Sequence, residues 1–389
     1  MNKHGWTYKK LGEVCMIERG GSPRPIQNFI TDDEDGINWI KIGDAVDGSK
    51  YITSTKERIK PEGAKKSRFV RAGDFILSNS MSFGKPYILQ IDGCIHDGWL
   101  VIRDENKTFI KDYLYYYLSS PKLYRTFKML AVGGVVNNLN SKLVRNVDVM
   151  IPSMGEQEAI VAELDEINEA IELLKQQVAD LDNLEQSTFY SMFGDPVTNE
   201  RGWSVKKLGE LSEIVRGGSP RPISMFLGGT IPWIKIGDAT KGDDIYLSRT
   251  KEFIIQEGLS KTRCIPEGSM IFANCGVSLG FARIIKFEGC IHDGWLAFMN
   301  IDESTVSKLF LLKSLNHCTH YFRSLAPEGT QPNLNTSIMK AFKQIIPPFA
   351  LQQEFAAKVE AMESAKVELN AQVAEMQTLL ASRMDYYFD

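Results

Sequence analysis

Gly20-Gly21-Ser22-Pro23-Arg24-Pro25-Ile26 recurs without change as Gly217-Gly218-Ser219-Pro220-Arg221-Pro222-Ile223. Two further heptapeptides repeat in the same order. Trp39-Ile40-Lys41-Ile42-Gly43-Asp44-Ala45 returns at 233–239, and Cys94-Ile95-His96-Asp97-Gly98-Trp99-Leu100 returns at 290–296. Three identical words in one order are beyond chance, so the chain is a duplication with a period of about 195 residues. A chain with two near-copies of one surface is built to touch two similar things.

Each copy ends in a heptad pattern. Ile160, Leu164, Ile167, Ile171, Leu174, Val178 and Leu181 alternate spacings of four and three, which predicts a coiled-coil seam. The second copy repeats it as Phe355, Val359, Met362, Lys366, Leu369, Val373 and Met376. Lysine at one seam position costs stability but can fix register and partner choice. Each helix opens after proline, at Pro152 and at Pro347-Pro348, and the first closes at Gly194-Asp195-Pro196. The expected organisation is a globular domain over 1–150, a helix over 151–193, a linker over 194–201, a second globular domain over 202–345 and a second helix over 346–389. The predicted fold is α+β: two similar α/β domains joined by two long helices in an antiparallel coiled coil, with pseudo-two-fold symmetry. Expected elements within a domain are strands at Trp39–Ile42, Phe75–Ser78 and Cys94–Leu100 and a helix at Ile110–Leu118.

The 389 residues, 43% of them hydrophobic, suit two such domains plus helices. No run approaches the roughly 20 apolar residues a membrane span needs, and the opening residues lack a signal-peptide pattern. The six cysteines form no Cys-x-x-Cys pair, so reduced core thiols in a cytoplasmic protein are expected. The net charge of −4 hides a segregation. Residues 1–150 carry 23 basic and 17 acidic groups and 202–345 carry 17 and 13, whereas 151–193 carry 1 and 10. Basic globular parts attract phosphate and acidic helices repel it, since the interaction is local on a scale of about 8–10 Å.

Two like domains on two like helices most simply adopt two-fold geometry, which matches inverted half-sites on double-stranded DNA. A helix of some 39 residues is about 58 Å long, limiting the separation to roughly 17 base pairs. The Tyr387-Phe388-Asp389 end occupies the place of Phe193-Gly194-Asp195, so it is expected near Met1.

At this level of detail the chain resembles the specificity subunit of type I restriction-modification systems. The resemblance rests on Gly-Trp-x-x-x-Lys-Leu-Gly-Glu at Gly5–Glu13 and Gly202–Glu210, the Trp-Ile-Lys-Ile-Gly-Asp segments, and Asn-Leu-Asn at 138–140 and 333–335. It also includes the Ile-Pro step into a Glu/Gln-rich helix, at Ile151, Pro152, Glu156 and Gln157 and at Ile346, Pro347, Gln352 and Gln353. It implies two target recognition domains reading a bipartite double-stranded DNA sequence, and helices that dock two methyltransferase subunits. It further implies a motor-nuclease subunit in the restriction complex, no membrane role, and no chemistry by this chain.

Catalytic and cofactor motifs fail on their own terms. Ile346-Pro347-Pro348-Phe349 lacks the Asn or Asp that an amino-methyltransferase loop needs ahead of its prolines. Gly93 to Gly98 has a phosphate-loop gap, but Trp99 stands where lysine is required. His317-Cys318-Thr319-His320 has no second ligand pair, so neither metal nor cofactor is expected.

Candidate DNA contacts are the polar residues of the repeats. Arg24 and Arg221, beside Ser22 and Ser219, sit in glycine- and proline-stiffened loops suited to a phosphate or to guanine; the alternative is an arginine that packs on its own domain. Lys41 and Lys235 are expected to face outward from a strand, as phosphate contacts or as inert surface lysines. His96, Asp97, His292 and Asp293 either read bases or form a structural cluster in which aspartate orients histidine. Asn79, Ser82, Asn274 and Ser278 lie in aligned polar loops, with Asn79 against Cys275 expected to mark diverging preferences. Residues 46–70 and 240–266 are read as sharing little beyond Lys56/Lys251 and a few apolar positions, as variable reading loops or as drift. The identical words predict related half-sites resembling an imperfect inverted repeat. A protein-binding scaffold is the competing reading.

Overall fold

The computed structural model describes residues 5–79, 84–132, 139–240, 242–325 and 333–389. It divides into two compact units, residues 1–176 with 370–389, and residues 177–369. Each long helix therefore contributes one half to each unit.

In the first unit, Met16–Arg19, Trp99–Arg103, Phe75–Ser78, Pro86–Leu89 and Tyr51–Ile52 form one sheet in that order. Ile30–Thr31, Glu57–Ile59, Ile37–Ile40, Gly93–Ile95 and Arg68–Val70 form the other. The second unit repeats both orders. Its first sheet runs Glu213–Arg216, Trp295–Met299, Met270–Ala273, Ala282–Ile285, Tyr246–Leu247. In its other sheet the counterparts of two strands fuse into Leu227–Ile234, with a register shift between Leu227 and Ile231. Alternating burial sends Leu77, Leu100 and Ile102 into a core with helix Lys111–Ser119, and Ile76, Trp99 and Val101 into a smaller cluster on the other face.

Two expected strands are corrected. The Trp39 strand stops at Ile40, and Lys41 caps a 3-10 turn, Ile42–Asp44, whose Asp44 Oδ2 accepts from the Lys41 amide at 2.8 Å. Cys94 to Leu100 is two strands in different sheets, because His96-Asp97-Gly98 turns between Gly93–Ile95 and Trp99–Arg103. Of the cysteines, Cys264 and Cys290 are joined as a disulfide, contrary to the expectation of six thiols. They are direct partners across neighbouring antiparallel strands, a register no spacing rule reveals. The equivalent partner of Cys94 is Phe69, so the first unit lacks the bond.

The long helices are Met154–Phe193 and Phe349–Phe388. In the first unit, Ile160 and Leu164 share a core with Met384 and Phe388, and Arg383 pairs with Glu163. In the second, Phe189 and Phe193 pack edge-on against Phe355, while Lys366 reaches Asp182 at 2.5 Å, so the helices run antiparallel in the same sense. Phe388 completes the first unit's core against Tyr113 and Tyr117, as Phe193 does the second's against Phe310. Met1 lies outside the described residues. Each helix is latched at its start by a fully buried glutamine. Gln157 Oε1 accepts from the Ile110 amide at 2.7 Å and its Nε2 donates to Thr108 and Pro152 carbonyls. Gln352 repeats this with Ser307, Thr305 and Pro347. Among the described residues, no helix is long and apolar enough to cross a membrane.

Candidate nucleic-acid interface

The three repeated words fold onto one another. The Gly20 amide donates to the Trp99 carbonyl at 2.9 Å and the Gly21 amide to Ile95 at 3.1 Å. A Cβ on Gly20 would stand 2.2 Å from the His96 carbonyl oxygen, so only glycine lets the loop lie flat on the turn. Gly217 repeats this against Trp295 and His292, again at 2.2 Å. The middle word joins by parallel pairing, Trp39 beside Cys94 and Trp233 beside Cys290.

Asp97 is the hub. Its Oδ1 accepts from Ser22 Oγ at 2.8 Å and faces His96 Nε2 at 3.0 Å; its Oδ2 holds Arg24 at 3.4 Å. The Gly98 amide donates to His96 Nδ1 at 2.9 Å, which puts the ring proton on Nε2. Both ring nitrogens and both carboxylate oxygens are thus engaged. Asp293 reproduces the set with Ser219 at 2.7 Å, His292 at 2.9 Å and Arg221 at 3.5 Å, and the Gly294 amide donates to His292. Both arginine-proline bonds, Arg24-Pro25 and Arg221-Pro222, are cis. The two arginine side chains are 82% and 79% exposed, and each makes one long contact to its aspartate, so most of their donors face outward.

Burial pushes the Asp97 carboxyl up. The Ser22 hydroxyl and the charges of His96, Arg19 and Arg24 outweigh it and hold the group below the ordinary aspartate value. Asp293 is depressed likewise by Ser219, His292 and Arg221 against burial. Burial lowers the His292 imidazole; Asp293 opposes this, while Arg221, Lys235 and Arg216 add to it.

Lys41 and Lys235 do not project freely. Each forms an ion pair with a carboxylate, Glu57 and Glu252. Asp44 pins the Lys56 amide at 3.2 Å and Asp238 the Lys251 amide at 3.3 Å, which brings each glutamate beside its lysine. In the first unit, Ser22, Arg24, Lys41, Glu57 and His96 line one cleft of about 820 Å³ walled by prolines and isoleucines.

Asn79 and Asn274 are fully buried and are each other's counterparts: their amides donate to Gly98 and Gly294, and their carbonyls accept from Leu139 and Leu334. The expected pairing of Asn79 with Cys275 is therefore one residue out of step. Asn79 Nδ2 donates to the Asp97 carbonyl at 3.0 Å, whereas Asn274 Nδ2 turns to Leu334 at 3.1 Å. Ser278 closes a 3-10 turn, Gly276–Ser278, and Ser82 lies outside the described residues. His317 stacks on Phe189 at 4.2 Å, and burial pushes its imidazole down to about 4.

Sequence reasoning missed two pairs. Arg19 and Arg216 donate to the Asp97 and Asp293 carbonyls at 3.0 and 3.1 Å. Glu57 and Glu252 were the other omission. The signals were present: Arg precedes each Gly-Gly, and Thr-Lys-Glu at 55–57 returns at 250–252.

A family model described as the type I restriction modification DNA specificity domain matches residues 3–183 and again 200–376. Over 381 residues, 91% of this chain and 86% of the relative, the chain is 25% identical to the type I restriction enzyme MjaIX specificity subunit of Methanocaldococcus jannaschii. A solved chain from work on complex assembly and conformational transition of the type I R-M system matches with a TM-score of 0.67 at 20% identity, covering 99% of this chain and 97% of that one. The S subunit of a type I restriction-modification system from M. genitalium matches at 0.52 and 14%, covering 99% and 96%. At these identities the two structures speak for the fold alone.

Proposed function

We propose, for a chain that belongs to the type I restriction-modification DNA specificity family, that each unit reads one half of a bipartite double-stranded DNA target. As a specificity subunit it selects sequence and carries out no catalysis. The observation that carries the reading is the recurrence of one hydrogen-bonded cluster, Ser-Arg-His-Asp, in both units, with an exposed arginine at its rim. In this reading Arg24 and Arg221 contact DNA directly, Lys41 and Lys235 lie beside them, and Ser22, His96, Asp97 and their counterparts Ser219, His292 and Asp293 hold the arginines in place. Asn79 and Asn274 support the turns from behind, Ser278 belongs to the neighbouring 3-10 turn, and Ser82 is a further candidate contact.

Because the clusters are the same, the half-sites are related and the target resembles an imperfect inverted repeat. The domains correspond to 1–150 and 202–345, and the helices over 151–193 and 346–389 set the spacer and dock two methyltransferase subunits. A motor-nuclease subunit joins for restriction, and the complex works in the cytoplasm.

Salt tests the reading. Affinity for DNA should fall steeply with salt, with a log-log slope of about 0.9 per phosphate neutralised. Arg24→Ala and Arg221→Ala should each weaken binding. A flat salt response would favour a protein-binding scaffold. Sequencing modified bases in a host expressing this chain with its methyltransferase tests the target, and two unrelated half-sites would overturn the inverted repeat.

A further inference from the structure

The cleft of the first unit holds a carboxylate where a DNA-binding surface ordinarily avoids one. Glu57 sits among Arg24, Lys41 and His96, and its side chain is 38% exposed. Its Oε1 pairs with Lys41 Nζ; its second oxygen has no protein partner among the described residues. Glu252 is placed identically against Lys235. Beside phosphate a carboxylate is repelled, so a glutamate held at that surface is costly unless it accepts a hydrogen bond from the nucleic acid. The groups on DNA that donate to it in the major groove are exocyclic amines, N6 of adenine and N4 of cytosine.

The neighbouring lysine completes the match. A lysine donor beside a carboxylate acceptor complements an acceptor beside a donor, as in adenine N7 and N6, or guanine O6 across from cytosine N4. The pair is also pre-oriented, since the amides of Lys41 and Lys56 both bind Asp44, at 2.8 and 3.2 Å. Both members recur in the second unit, as Lys235 and Glu252. We infer that Glu57 and Glu252 are specificity-determining residues, each accepting the exocyclic amine of an adenine or cytosine at the same position of its half-site. This deepens the bipartite reading and rests on it.

The test uses the full-length chain with its methyltransferase subunits and a pool of randomised duplexes, comparing wild type with Glu57→Ala and Glu252→Ala. Each variant should lose the preference for an amino-bearing base at one position, in one half-site for Glu57→Ala and in the other for Glu252→Ala. Affinity for the original target should fall roughly tenfold or more with the salt slope unchanged. The base lost distinguishes adenine from cytosine. A uniform fall across all sequences with a shallower salt slope would mean that the glutamate only holds Lys41 on a phosphate, and would overturn the inference, as would an unchanged preference. If wild type itself shows no sequence preference, the bipartite reading fails, and this inference with it.

Discussion

Lys313 Nζ donates to Glu185 Oε2 at 2.8 Å with both side chains less than one-tenth exposed. Lys313 belongs to helix Lys308–His317 and Glu185 to the first long helix, so an ion pair ties that short helix of the second unit to the long one. Lys366, the lysine in the seam, lies 3.8 Å from the same carboxylate and bonds Glu363 at 2.7 Å. In the first unit helix Lys111–Ser119 meets the first long helix through Tyr116, whose hydroxyl donates to Asp165 and accepts from Asn168 Nδ2 at 3.1 Å.

Removing one partner of that pair leaves a buried charge uncompensated. Glu185→Ala should cost about 3 kcal/mol or more of unfolding free energy. Glu185→Leu with Lys313→Leu together should cost less than Glu185→Ala alone. Urea denaturation compares the three; a loss below about 1 kcal/mol for the single variant would show that water already reaches the pair.

Gly20→Ala and Gly217→Ala should open the loop from the turn, because the added Cβ meets backbone oxygen at 2.2 Å. DNA affinity should drop by at least an order of magnitude for each. Gly43→Ala, in the middle repeated word but with nothing within 4 Å of its Cβ, is the matched control and should bind normally. Equal affinity in all three proteins would contradict the close-packing argument.

Gln157→Leu removes the acceptor for the Ile110 amide and the donor to two carbonyls. Leaving those groups buried and unpaired should cost about 2–4 kcal/mol. Gln352→Leu should do the same in the second unit. Thermal unfolding followed by circular dichroism reads this, and a melting temperature unchanged in both variants would count against the latch.

The acid limb of stability should depend on Asp97 and Asp293. Both carboxyls are depressed in the folded chain, so their contribution is present above the unfolded value of about 3.9 and is lost as pH falls through the folded one. Asp97→Asn should therefore be less stable than wild type at pH 7, and the gap should narrow below about pH 4. A gap that stays constant from pH 7 to pH 3 would rule out this linkage.

The duplication, the heptad helices with their proline starts, and the separation of basic domains from acidic helices were legible because they are properties of order and period along the chain. The seam at Ile160, Leu164 and Phe355 follows from spacing alone, as does the intrusion of Lys366. Glu363 lies on the same helix as Lys366, but that it also faces Asp182 and Glu185 does not follow from spacing, because those two sit on the other long helix.

The tertiary structure alone decided how the repeated words meet. Strand pairing placed Trp39 beside Cys94, laid Gly20 on the His96 carbonyl and fixed the turn in which Asp97 and Gly98 occupy both nitrogens of His96, which linear reading left divided between two roles. It brought Glu57 to Lys41, Gln157 to Ile110 and Cys264 opposite Cys290. These are consequences of register between distant segments, and register is set by packing and turn geometry summed over a whole sheet rather than by any one stretch.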